Sequence, residues 1–407
     1  MADNVLEGFL KETQKNLEKR FKTSESRFEI AKDIKPATGL VIDNPQLEYI
    51  LDRRFLAYGR AYLVYGKKGN AKTSLFFDLA KMVQKAGGYA FWFESERADD
   101  RDYMRKQGVD PDRTVIIHPD SLEQALTSII STIQSLDKLD PTGQTPVLIC
   151  LDSIAGCVPE FEQESNMVIG DTQPGIHARR CSQFYRVIEN VLAPERCIFV
   201  ALNQQKSKIG GMSIPGQDNE ALIGGESQFF HSTYHWKLSR IKELYAIDEY
   251  GAERKVGSRH EIIGKRNKLG REGNKQRVEF DLYIDGGVDW YSPLVRKLGD
   301  DYPVLVKHTR GYSWQIPDCA YDLGTDKGII PVDDNLGESE LARMISGSPQ
   351  AKDKIREVFG IPELPTEEEA VKVDEDRKEK RKYRKKIAAE VILEKGSSAF
   401  DEEDKKL

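Results

Sequence analysis

The residues with the clearest chemical potential are Gly66-Lys67-Lys68-Gly69-Asn70-Ala71-Lys72-Thr73-Ser74. They lie between an apolar run, Tyr62-Leu63-Val64-Tyr65, and a helical pattern, Leu75-Phe76-Phe77-Asp78-Leu79-Ala80. Strand, glycine-rich turn and helix in that order are what a phosphate-binding loop requires. The backbone N–H groups of the turn point inward around the phosphates, and the helix N-terminus adds the positive end of its dipole. In that arrangement Lys72 reaches the β- and γ-phosphates and the Thr73 hydroxyl reaches a Mg2+ ion. One position departs from the pattern: Ala71 stands where a glycine precedes the lysine. A turn of this composition also opens helices that hold no ligand, so the segment alone leaves both readings open.

A second run, Val147-Leu148-Ile149-Cys150-Leu151, is almost continuously apolar and ends in Asp152. Such a run reads as a strand buried on both faces of a parallel sheet. Asp152 then sits at the strand's carboxyl end, where open α/β sheets bind their ligands and where a Walker-B carboxylate holds the Mg2+ shell. Taken singly, an aspartate that merely ends a strand is the commoner case. Downstream of a phosphate loop, the metal-holding reading gains the advantage.

The elements that must position these groups alternate. Strands are expected at 61–65, 89–93, 114–118, 147–151 and 197–202, with helices between them at 122–136 and 174–192. That alternation predicts a mostly parallel α/β sheet. Three later strands, at 233–241, 258–265 and 276–284, follow without helices and predict an antiparallel extension. Residues 5–19 carry Leu6, Phe9, Leu10 and Leu17 at helical spacing, and one amphipathic helix needs a body to dock on, its own core or a neighbouring subunit. The expected organisation is a helical arm for subunit docking (1–34), a core (35–287), a small α+β module (288–365) and a charged tail (366–407). The tail's basic run, Arg377 to Lys386, lies between acidic stretches. Solvated helix, disordered tail and binding tail all fit that composition.

The chain has 407 residues, enough for two or three domains, and its 61 Lys+Arg against 67 Asp+Glu leave a net charge of -6. Any nucleic-acid surface must therefore be local. Cys150, Cys157, Cys181, Cys197 and Cys319 show no C-x-x-C spacing and read as reduced thiols. No apolar stretch approaches the roughly 18 residues of a membrane span, and the N-terminus is charged and amphipathic, unlike a targeting sequence. A cytoplasmic location, in a bacterium or a phage-infected cell, is expected.

In their order along the chain, these and the following motifs resemble the RecA-type strand-exchange recombinases, from about Gly59 to about Asp285. The resemblance rests on the phosphate loop and then Ala90-Phe91-Trp92-Phe93-Glu94-Ser95-Glu96. Asp100 and Tyr103 follow, ahead of Arg105-Lys106-Gln107-Gly108-Val109-Asp110. It continues through Ser121-Leu122-Glu123-Gln124-Ala125-Leu126, Leu151-Asp152-Ser153-Ile154-Ala155, Ile169-Gly170-Asp171-Thr172 and Ala178-Arg179-Arg180-Cys181-Ser182-Gln183. Leu202-Asn203-Gln204, Lys208-Ile209-Gly210, Gly224-Gly225 and Arg266-Asn267-Lys268 complete it. Ala71, the stretch Tyr283-Ile284-Asp285-Gly286-Gly287-Val288-Asp289-Trp290-Tyr291 with Leu294 downstream, and the charged tail are similar to the bacteriophage, UvsX-type branch.

The resemblance implies an ATP- and Mg2+-dependent enzyme that forms a helical filament on single-stranded DNA and promotes pairing and strand exchange with double-stranded DNA. Mediator and single-strand-binding proteins are the further partners it implies. Glu96, at the end of the strand next to the phosphate-loop strand, matches the general base that polarises the attacking water; on the residues alone, Glu94 competes for that role. Asp100 and Tyr103 match the residues that hold the adenine, and Gln204 the γ-phosphate sensor. Residues 205–223, long, polar and free of strand or helix pattern, resemble the second DNA loop with Lys206, Lys208, Ile209 and Gly210, closed by Gly224 and Gly225. Residues 159–171 resemble the first, where Met167, Val168 and Ile169 can wedge between bases although Glu160, Glu162 and Glu164 cannot bind phosphate. Arg179, Ser182 and Arg186 share a helix face and match residues lining the DNA backbone, as would any solvated basic face. Arg266 and Lys268 match a basic pair that reaches the neighbouring subunit's γ-phosphate, with Arg266 where Lys is usual. Glu226 stands where Asn is usual. A hexameric helicase motor built on the same core, and a paralogue without catalysis, are the competing functions. The two DNA-loop segments and the Arg266/Lys268 pair favour the recombinase over the first. Retention of Lys72, Thr73, Glu96, Asp152 and Gln204 favours it over the second.

Overall fold

The structure, a computed structural model, describes residues 36–364 apart from 98–99, 164–174, 194, 208–219, 271–275 and 325, and also residues 8–9, 11–13, 15–16, 19, 366 and 375. The principal elements begin with β1 (Gly39–Val41), α1 (Pro45–Leu51), β2 (Phe55–Ala57), β3 (Arg60–Gly66), α2 (Lys72–Lys85), β4 (Tyr89–Glu94), α3 (Arg101–Lys106) and β5 (Thr114–Ile117). They continue with α4 (Leu122–Gln134), β6 (Val147–Asp152), α5 (Ile176–Leu192), β7 (Cys197–Ser207), β8 (Glu220–Leu222), α6 (Ser227–His231), β9 (Tyr234–Ile247) and β10 (Glu253–Asn267). The last are β11 (Arg277–Tyr283), β12 (Gly287–Asp289), α7 (Tyr291–Asp301), α8 (Glu338–Ser346) and α9 (Pro349–Phe359).

Strands β3 to β12 form one ten-stranded sheet in the order β12-β11-β10-β9-β3-β7-β6-β4-β5, with β8 paired to β7. From β9 to β5 along that order every pairing is parallel; β9 to β12 run antiparallel. This is the α/β architecture that the alternating and then helix-free segments predict. Two expectations need correction. β4 follows the phosphate-loop strand in sequence but not in the sheet, since β7 and β6 lie between β3 and β4. The segment after Gln204 does not start as a loop: β7 runs on to Ser207 and pairs antiparallel with β8. The polar Gln205-Lys206-Ser207 on β7 and the shortness of β8 hid that ribbon from hydrophobic periodicity.

The apolar runs are continuous because both faces of the sheet are covered. Along β3, Tyr62 and Val64 enter one core with α2, whereas Ala61, Leu63 and Tyr65 enter another with α4 and α5. A third core gathers Leu294, Leu298, Trp314, Leu341, Ile345 and Ile355 from α7, α8, α9 and the short hairpin 305–314. Arg356 on α9 ties it to the sheet domain, donating to both oxygens of buried Glu48 on α1 at 2.7 Å and to Asp43 at 2.8 Å. The five cysteines are buried and unpaired. No described helix is long and apolar enough to cross a membrane.

Two histidines are buried in β9 and β10. Burial pushes His235 down to about 4, helped by the Arg266 guanidinium. Burial also pushes His260 down to about 4, helped by Arg240. Consistent with neutral rings, neither His235 Nε2 nor His260 Nδ1 has a hydrogen-bond partner among the described residues. Both folded values lie below the ordinary 6.5, so between pH 6.5 and 4 the unfolded chain binds protons that the folded chain refuses. Stability is thus lost as pH falls through that window, on the order of 2 kcal/mol per histidine by pH 5. Urea unfolding midpoints measured from pH 7.5 to 5 should fall accordingly. The fall should be shallower in a His235→Gln/His260→Gln variant.

Candidate nucleotide and DNA site

The phosphate loop joins β3 to α2. Gly66 must be glycine, because a Cβ there would stand 2.4 Å from the Leu238 carbonyl oxygen on β9. Asn70 Nδ2 donates to that same oxygen at 2.8 Å and pins the loop to the sheet. Lys67, Lys68 and Gly69 are exposed at its tip. Ala71 takes the left-handed conformation, φ 58°, as the residue before the helix. That explains why a glycine is usual at this place: an L side chain in this region costs about 1–2 kcal/mol.

Lys72 opens α2 and folds its ammonium back over the loop, donating to Gly66 O at 3.2 Å and Lys67 O at 3.0 Å. Burial holds its pKa below the ordinary value, while the Asp152 and Glu96 carboxylates oppose the shift. Thr73 Oγ1 donates to Asp152 Oδ2 at 2.7 Å, and Ser74 is buried behind it. Burial raises Asp152 to about 6 against the Thr73 hydrogen bond, and Glu96 adds to the rise. A hydroxyl and a single carboxylate oxygen suit Mg2+, which keeps several waters and takes its remaining oxygens from phosphates. Among the described residues no group of three His, Cys, Asp or Glu could hold a metal by itself.

The two glutamates that compete in the sequence separate in space. Glu94 is buried and its Oε1 accepts the backbone N–H of Glu96 at 2.7 Å. Glu96 is exposed, and its Oε1 accepts from Gln204 Nε2 at 3.1 Å and from Ser153 Oγ at 3.4 Å. Glu96, Gln204, Asp152, Thr73 and Lys72 are therefore one connected group at the carboxyl ends of four parallel strands. Ser153 and the buried Asn203 belong with them. Asn203 Nδ2 donates to Ile223 O at 2.7 Å and Gln228 Oε1 at 2.8 Å, fastening β7 to the segment that returns after residue 219. Both stand in motifs quoted from the sequence, where neither is given a role. A polar residue ending an apolar run was the available signal.

Asp100 caps α3, its Oδ1 accepting from Asp102 N at 2.8 Å and Tyr103 N at 3.1 Å. Tyr103 leans on α2, its ring 6.1 Å from that of Phe77, with 37% of its surface open. On α5, Arg179 and Arg186 are exposed and Ser182 is half-buried between them, Arg186 Nε donating to Ser182 O at 3.2 Å. Lys206 lies in β7, paired with Ala221. Gly224 and Gly225 have φ 88° and 78°, and added Cβ atoms would stand 2.8 Å from Cys181 Sγ and 2.9 Å from Ala178 Cβ. Their glycines let the returning segment lie against α5. Met167, Ile169, Lys208, Ile209 and Gly210 lie outside the described residues.

Arg266 and Lys268 do not join the nucleotide group of their own chain. Arg266 Nη1 donates to Phe229 O at 3.0 Å, and Lys268 Nζ to Phe230 O at 2.6 Å, 3.6 Å from Glu189. Register places Arg266 opposite His235 and His235 opposite Leu63, at the middle of β3, and Lys268 N donates to Thr233 O beside the start of β3, while the phosphate loop leaves the strand's end.

The RecA N-terminal domain family matches residues 10–289. Protein RecA of Chloroherpeton thalassium is 30% identical over 295 residues, covering 71% of this chain and 75% of that protein. Protein RecA of Geobacter metallireducens is 29% identical over 312 residues, 77% of this chain and 83% of that protein. Protein RecA of Rhodospirillum centenum is 32% identical over 259 residues, 64% of this chain and 66% of that protein.

The left-handed Ala71 generates a direct test. Ala71→Gly relieves the Cβ clash but frees the unfolded chain, so the net gain should be about 0.5–1 kcal/mol. Thermal unfolding of the ligand-free protein should show a higher melting temperature. An unchanged or lower value would contradict the strain at this position.

Proposed function

This chain belongs to the RecA N-terminal domain family, and on that premise we propose that it is a recombinase which assembles as a helical filament on single-stranded DNA and promotes strand exchange. Its enzymatic activity is DNA-dependent ATP hydrolysis. The observation that carries the reading is the 3.1 Å contact between Glu96 and Gln204, because it links the phosphate-loop cluster to the strand leading into residues 208–219. The loop amides and Lys72 receive the β- and γ-phosphates of ATP, and Asp100 with Tyr103 receives the adenine. Mg2+, held through Thr73 and Asp152, neutralises phosphate charge when bound. Glu96 orients and deprotonates the attacking water. Gln204 leaves Glu96 for the γ-phosphate, and that exchange moves β7 and the DNA loop that follows.

On the DNA side, Arg179, Ser182, Arg186, Lys206 and Lys208 take the phosphate backbone, which fixes register without reading sequence. Met167, Ile169, Ile209 and Gly210 approach the bases, and Gly224-Gly225 seats the returning segment on α5. Arg266 and Lys268 serve the neighbouring subunit's γ-phosphate, which suits their position away from their own phosphate loop. Head-to-tail contacts of that kind, if they do not close, generate a filament. Residues 1–34 dock on the neighbour, 35–287 are the motor and DNA-binding core, 288–365 are an accessory module, and 366–407 are a charged tail open to mediator or single-strand-binding proteins. Ala71 and the 283–291 stretch support kinship with the bacteriophage branch, and with it the cytoplasm of an infected cell.

Complementation between subunits tests the site that straddles two chains. Lys72→Ala alone and Lys268→Ala alone should each lower single-strand-stimulated hydrolysis by roughly 100-fold or more. Mixed, they should recover a fraction of wild-type turnover, because some interfaces join two intact halves. No recovery at any ratio would remove catalysis in trans.

A further inference from the structure

β4 delivers two carboxylates, and the inner one has no role in the scheme above. Glu94 shares its strand face with Trp92 and is 2% exposed. One of its oxygens accepts the Glu96 amide at 2.7 Å. The other, Oε2, is buried without a hydrogen-bond partner among the described residues and lies 3.4 Å from His118 Nδ1, just after β5. The intervening turn is tight. Ser95 N donates to Asp152 O at 2.8 Å, Ser95 Oγ accepts from Ser153 N at 3.0 Å, and Arg97 is left-handed at φ 53°. A non-glycine residue persists at such a φ only where its surroundings over-determine it. A hydrogen bond donated by a backbone N–H to a carboxylate is the stronger, charge-assisted kind. It acts here on the residue whose side chain meets Gln204.

We infer that Glu94 is the positioning residue of Glu96: its buried carboxylate fixes, through the Glu96 amide, the turn that holds the Glu96 side chain against Gln204. The inference rests on Glu96 being the base of the proposed ATPase. Glu94 itself has no face open to an attacking water. Its role needs an acceptor oxygen and no proton transfer, so a glutamine amide oxygen can replace it.

The test compares kcat and KM for ATP, with saturating single-stranded DNA, in Glu94→Ala, Glu94→Leu, Glu94→Gln and Glu96→Gln, alongside melting temperatures. Glu94→Leu keeps the core filled should the alanine variant fail to fold. Glu96→Gln should lose at least roughly 100-fold in kcat. Glu94→Ala and Glu94→Leu should lose roughly 10–100-fold in kcat with KM within about 3-fold of wild type, as a misplaced group does. Glu94→Gln should stay within about 5-fold of wild type. With Glu96→Gln inactive, wild-type turnover in the folded alanine or leucine variant overturns the inference alone. So does a Glu94→Gln variant as inactive as Glu96→Gln, or a kcat loss matched by an equal rise in KM. Wild-type turnover in Glu96→Gln overturns the base assignment and this inference with it.

Discussion

The parallel register across β3, β7, β6 and β4 is the constraint on which the site depends. Gly66 pairs with Gln204, Leu151 with Ala201, and Glu94 with Asp152, so four strands end within a few residues of one level. β4, β6 and β7 bring their polar groups to that edge and β3 brings the phosphate loop, and the preceding residues are apolar because both faces are buried. A slip of one residue in any pairing would turn the carboxylate or amide away and drive apolar side chains to the wrong core. The site is thus held by the same packing that holds the sheet.

That arrangement sets Glu96 and Asp152 beside one ammonium, with Glu94 acting on Asp152 from behind. The consequences appear as opposed shifts: burial and Glu96 lift Asp152 to about 6, and burial lowers Lys72 despite two neighbouring carboxylates. Thr73 and Ser153 supply hydroxyls, and Gln204 an amide, to the oxygens that remain. A cluster with surplus negative charge at a strand edge, facing a loop of backbone amides, is suited to a cation and an anion together. Metal-bound phosphate provides both.

Much of the fold was legible because long apolar runs alternating with helical spacing leave few architectures. The phosphate loop and Asp152 were legible because each follows such a run directly. What stayed hidden depends on contacts remote in sequence. Nothing local says that β6 and β7 insert between β3 and β4. Glu94 and Glu96 have the same parity along β4, and only the turn after Glu94 sends one inward and the other out. Gly224 and Gly225 read as loop glycines until Cys181 and Ala178 are seen against them. The β7–β8 ribbon escaped because its β7 half, Gln205-Lys206-Ser207, is polar and its β8 half has only three residues. Arg266 and Lys268 bond backbone carbonyls in their own chain, so the role proposed for them is not displayed by one subunit.

The central claim is that nucleotide hydrolysis here is coupled to DNA through β7. Steady-state ATP hydrolysis at saturating ATP and Mg2+, with and without single-stranded DNA, tests it most directly when the same mixtures are imaged by electron microscopy. Coupling through β7 predicts strong stimulation by single-stranded DNA together with helical filaments. Equal rates with and without DNA, or closed rings in place of filaments, would contradict it.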